Sequence, residues 1–155
     1  MFDLTHGFAA YDSALLLDRL ALGTFFAISG FHKLWNPVRR ASLAETFKAD
    51  GCYTPANMYA IPGGEFMGGL ALLLGFMTPI AAAGLVIICA GACFFDGLKR
   101  IKAWAPLDRF DWVDDVLYLP EALYILLLAI LIMGGPGRYS LDAYLWSYVL
   151  PLATP

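Results

Sequence analysis

The chain has 155 residues, of which 60% are hydrophobic and only 15% charged, and its formal net charge is -3. Soluble domains have about 45–50% apolar and about 25% charged residues, so this chain needs lipid as its solvent, and its length allows one domain over residues 1–155. The mildly acidic balance gives no basic field for nucleic acid and removes that class of partner.

No Lys or Arg precedes Arg19, so the first apolar run lacks the charged start of a secretory signal and is expected to remain as a span. Its uncharged part, from Leu20 to Phe31, is short. If Asp18, Arg19 and Lys33 reach toward the headgroups, residues 14–35 are long enough to cross, with Trp35 as an interfacial anchor. Asn36 and Pro37 then open an amphipathic helix that runs to Ala49 before Gly51, expected to lie along the membrane interface.

From Gly51 to Phe95 the only charged residue is Glu65. That stretch is about twice the roughly 20 residues needed to cross a bilayer, so it is expected to cross twice. The break falls at Met77-Thr78-Pro79, where Thr78 can cap and Pro79 can open a helix, giving spans over 55–77 and 79–98. The loop from Lys99 to Tyr118 mixes both charges with Trp104, Phe110 and Trp112, a composition expected at the membrane surface. A fourth span over 116–135 starts near Pro120 and stops at Gly134-Gly135-Pro136-Gly137. The tail from Leu141 is too short to span but carries Tyr144, Trp146 and Tyr148, which suits an interfacial or docking segment.

The expected fold is therefore an all-α integral membrane four-helix bundle with an interfacial helix after span one and an interfacial C-terminal segment. Of ten Lys and Arg residues, only Arg19 and Arg138 lie at the face opposite loops one and three. The positive-inside rule then places those loops in the cytoplasm and both termini outside.

Glu65 falls near mid-membrane, where an ionisable group is a functional candidate by default. Its competing reading is structural, as a partner for Lys33, His32 or backbone, in a region already polar because Pro62 frees the carbonyl of Met58. Gly64 and Gly68 form a GxxxG pair continued by Ala71 and Gly75, and Gly23, Ala27 and Gly30 give span one a similar face. Both read as packing surfaces first and as a homodimer surface second. Cys89 and Cys93 share a helix face, but Cβ atoms at that spacing lie about 5–6 Å apart whereas a disulfide wants about 3.5–4.5 Å; small packing residues are expected. His6 and His32 belong to no ligand-spaced cluster, so no metal or haem site is expected from this chain alone.

Arg19-Leu20-Ala21-Leu22-Gly23 leading to Gly30-Phe31-His32-Lys33-Leu34, then Glu65-Phe66-Met67-Gly68-Gly69-Leu70 to Leu74-Gly75-Phe76, and finally Gly135-Pro136-Gly137-Arg138-Tyr139-Ser140-Leu141-Asp142, resemble the DoxX family of small bacterial membrane proteins. Glu121, at the start of span four, is similar to a Glu common at that position. The sequence departs from many relatives in having Phe94-Phe95-Asp96 where they carry His.

The resemblance implies a four-helix fold in the bacterial inner (cytoplasmic) membrane. It also implies association with redox complexes, since the family takes its name from a membrane component linked to thiosulfate:quinone oxidoreductase. The resulting expectation is a non-catalytic membrane subunit of a larger quinone-linked oxidoreductase, with lipid and other membrane subunits as partners. This chain alone binds no cofactor in that reading, and any quinone sits at an interface. The alternatives are an assembly or stability factor and a small homodimeric transporter using Glu65. The residues singled out are Glu65, Lys33, His32, Arg19 and Glu121, together with the terminal 135–142 motif.

Overall fold

The computed structural model describes residues 4–104 and 108–149, and among these every regular element is helical. In chain order these are α1 (Leu4–Trp35), α2 (Pro37–Ala49), α3 (Asn57–Leu74), α4 (Thr78–Ala92), a π-helical turn (Cys93–Gly97), α5 (Leu98–Trp104), α6 (Arg109–Tyr118), α7 (Pro120–Gly134) and α8 (Leu141–Val149). Two stretches are long and apolar enough to cross a membrane, Ala10–Trp35 and Thr78–Trp104, and a third is added if α6 and α7, bent by 70°, count as one span. The chain is thus a multi-pass membrane protein. α3 is not among these stretches: Asn57, Pro62, Glu65 and its glycines dilute its apolar content.

Each long helix buries one stripe at helical spacing. On α1 the buried stripe includes Asp12, Leu15, Arg19, Leu22 and Phe26; on α3 it is Met58, Pro62, Glu65, Gly69 and Leu72; on α4 it is Thr78, Ala82, Leu85 and Cys89. Leu128 and Leu131 of α7 close the same core. α1 packs on α3, α3 on α4, and α4 on α7, with Phe25 of α1 also meeting Tyr124 of α7 at 4.5 Å between ring centroids.

The closest helix pairing is α1 with α3, and glycine makes it possible. A Cβ on Gly69 would run into the Ala27 backbone nitrogen and come within 2.8 Å of the Gly23 carbonyl oxygen; one on Gly30 would lie 2.6 Å from the Pro62 carbonyl oxygen. The expected small face of span one, Gly23, Ala27 and Gly30, is therefore used. The Gly64 and Gly68 pair is not the backbone contact expected of it, because it faces side chains of α4, Ile88 and Leu85, at 3.1 and 3.0 Å. Gly69→Ala should cost about 2 kcal/mol through forced separation of two backbones. Gly84→Ala, which meets open space, should instead gain up to about 1 kcal/mol of helix propensity. Unfolding of both variants in mild detergent checks this, and equal stabilities would discard the contact.

Several boundaries differ from expectation. α1 extends well before residue 14. The helix begun at Thr78 continues through the π-helical turn and α5 to Trp104, and with α6 most of the stretch expected as a loop is helical. The helix expected over 116–135 breaks at Leu119, which is extended (ψ 123°) because a residue before proline is pushed out of the α region. Leu119 is fully buried and lies over Gly97, where a Cβ would come within 2.8 Å of it. The Asn36 cap is as expected, its side chain accepting from the Val38 and Arg39 amides. Of the C-terminal segment, Leu141–Val149 forms α8, and residues 150–155 lie outside the described part.

Candidate functional site

Glu65 sits midway along α3 in its buried stripe and is 6% exposed. Such a carboxylate needs a counter-charge. Lys33, from the last turn of α1, supplies it, with Nζ 2.6 Å from both carboxylate oxygens, and Ser29 Oγ donates to Oε2 at 3.3 Å. His32 is exposed and points elsewhere, its ring 6.0 Å from that of Phe31. The side chain of His6 lies outside the described part.

The pair forms part of the wall of a cavity of about 350 Å³ between α2, α3 and α4. Leu43 and Phe47 of α2, Ile61 of α3, Ile87 and Ile88 of α4, and Phe95 of the π-helical turn give it apolar walls. Asp50, Cys52, Asn57 and Asp96 add polar atoms to its lining. Asp50 is bound by Lys99, Asp96 pairs with Arg100 Nε at 3.1 Å, and Arg100 Nη2 donates to Glu121 Oε1 at 2.6 Å. Glu121 is thus joined to this end of the fold through Arg100 and does not line the cavity. Cys52, Cys89 and Cys93 are all free thiols. Among the described residues no group of three or more His, Cys, Asp or Glu is placed to hold a metal ion.

At the other end of the helices the 135–142 motif closes on α1, α3 and α4. Gly135 and Gly137 take positive φ, 74° and 69°, and the turn lays the Arg138 amide on Asp12 Oδ1 at 3.0 Å. Arg19, 1% exposed, donates to the Tyr139 carbonyl, so it does not reach for headgroups as expected but is enclosed by the returning tail. Ser140 Oγ accepts from the Ala143 amide at 3.0 Å and so starts α8. Asp142 accepts from the Met77 and Thr78 amides at 2.7 and 2.9 Å, and its own amide donates to the Gly75 carbonyl at 2.9 Å. The cap of α4 is therefore Asp142 and not Thr78, whose hydroxyl has no partner among the described residues.

The DoxX family model matches residues 14–96. The chain belongs to the DoxX family. The match takes in Arg19, Lys33 and Glu65 and ends before Glu121 and the 135–142 motif. No curated protein and no solved structure matches this DoxX chain. Sequence reasoning singled out Glu65 and Lys33 but missed the cavity beside them, with Asp50, Asn57 and Asp96. It also missed the capping role of Asp142, for which a signal existed: an acidic residue two positions after Ser140, just past the Gly-Pro-Gly turn that returns the chain.

Proposed function

We propose that this DoxX protein is a non-catalytic membrane subunit of a larger quinone-linked oxidoreductase assembly, with α1, α3, α4 and the broken α6–α7 segment crossing as a four-helix bundle. The observation that supports the subunit reading is the way α8 is held. Asp142 fixes its first turn to α3 and α4, yet Tyr144, Trp146 and Tyr148 remain 58%, 72% and 62% exposed. Large aromatics presented on a fixed helix are the composition of protein interfaces. Deleting residues 144–155 leaves Asp142 and the apolar helices in place, so membrane insertion should persist while co-purification with partner subunits falls. Equal co-purification by the truncated chain, or a full-length protein that migrates alone in mild detergent, would reject the proposal.

The orientation belongs to the same reading. The ion pair between Lys99 and Asp50 ties the chain after α2 to the start of α5, which supports a common side for loops one and three. With the Lys and Arg residues concentrated there, that side is the cytoplasm of the bacterial inner membrane and the clasped end faces outward. A membrane-impermeant thiol reagent added to intact cells should spare Cys52 and label a cysteine introduced at Ala153. The reverse pattern inverts the topology.

A further inference from the structure

The cavity beside Glu65 combines three features that together specify an occupant. First, its size of about 350 Å³ falls within the range of about 300–1,000 Å³ typical of small-molecule sites. Second, its charged pair is already neutral. Lys33 and Glu65 satisfy each other, so an anionic head would have to displace Glu65 and a cationic head Lys33, each leaving a buried charge unpaired. Third, the pair still has something to offer. An ammonium has three N–H donors; two are directed at the Glu65 oxygens and the third has no acceptor among the described residues, although Lys33 lines the cavity and its side chain is 29% exposed.

The walls say where the occupant comes from. Ile87 is 73% exposed and Phe95 42%, and both belong to the Thr78–Trp104 stretch that is apolar enough to cross a membrane. The cavity therefore borders a surface that meets hydrocarbon, and an apolar molecule reaches it sideways from the bilayer. Asp50 and Asp96, also in the lining, are taken up by Lys99 and Arg100. Lys33 remains as the cationic donor that a carbonyl oxygen can use.

We propose that this cavity is a binding site, carried by this chain alone, for a neutral lipid-soluble molecule whose carbonyl oxygen accepts a hydrogen bond from Lys33 Nζ while its apolar body lies along Phe47, Ile61 and Ile88. A substituted quinone ring and a long-chain ketone share this chemistry. The site does not depend on the assembly reading above, because it requires no partner.

Cys52 lines the same cavity and reports its occupancy. The full chain in phosphatidylcholine nanodiscs is treated with N-ethylmaleimide, and modification of Cys52 is followed by peptide mass spectrometry. Decylubiquinone and 2-tridecanone are compared with tridecane, tridecanoate and tridecylamine at equal mole fraction in the bilayer. The carbonyl compounds should slow labelling of Cys52; protection by the quinone only or by the ketone only identifies the source. Lys33→Met/Glu65→Met removes the donor without stranding a charge and should weaken protection about tenfold, the worth of one hydrogen bond to a charged group. Gly91 also lines the cavity, and a Cβ there meets open space, so Gly91→Phe should fill the cavity and abolish protection without disturbing the pair. Equal protection by tridecane, stronger protection by tridecanoate or tridecylamine, or undiminished protection in Gly91→Phe would each overturn the proposal.

Discussion

Glu65→Gln should destabilise the protein by about 3 kcal/mol, the lower end of the cost of breaking a buried ion pair, because Lys33 keeps partial access to the cavity. The loss arises less from the removed carboxylate than from the ammonium left behind. Lys33 holds both Glu65 oxygens at 2.6 Å and has no other acidic partner among the described residues. A neutral amide can still accept from Nζ, but it does not offset the charge. Lys33→Met/Glu65→Met should therefore return to within about 1 kcal/mol of the starting stability, since replacing both ions by apolar side chains of similar volume is often neutral. The coupling is read from reversible unfolding of both single variants and the double variant in mild detergent. Losses that simply add would show that the two charges are independent. Unchanged stability in Glu65→Gln with loss of a cellular phenotype would give the carboxylate a chemical role instead.

How much of this was readable from the sequence depends on the range of the interaction. The Asn36 cap and the small face of α1 follow from residues a few positions apart, and the structure has them where the pattern places them. The partner of Glu65 was legible only as a choice among Lys33, His32 and backbone, because a carboxylate in apolar surroundings needs a counter-charge or donors; that Lys33 takes it is known from the structure. The rotation of α3 was misjudged even though its signal was present. With Glu65 buried, the residue four positions on, Gly69, has to share its stripe, and Gly68 turns toward α4. The cap of α4 was beyond local reasoning. Thr78 and Pro79 have the chemistry of a helix start, but the carboxylate that binds those amides comes from Asp142, 64 residues away from Thr78. The cavity is equally non-local, since it exists only because α2 folds back beside α3 and α4.

Gly75→Ala should destabilise the protein by about 4 kcal/mol. Two costs meet at this residue. Gly75 ends α3 in the left-handed region at φ 65°, where its amide and that of Phe76 satisfy the Leu72 and Ala71 carbonyls. A side chain tolerates that backbone at a cost of about 1 kcal/mol. The second cost is the Arg19 guanidinium, which occupies the place where the methyl would go, with Ser140 Cβ only 2.6 Å from the same point. Arg19 is 1% exposed, and its Nε and Nη1 have no hydrogen-bond partners among the described residues. Displacing it forfeits the bond to the Tyr139 carbonyl and separates a buried cation from its surroundings, for about 3 kcal/mol more. Gly51 provides the control, because it has nearly the same backbone, φ 70°, with nothing near its Cβ position. Gly51→Ala should lose only the backbone cost of about 1 kcal/mol. The difference between the two variants in an unfolding titration isolates the guanidinium contact, and equal losses would show that Arg19 does not clasp the tail against α3.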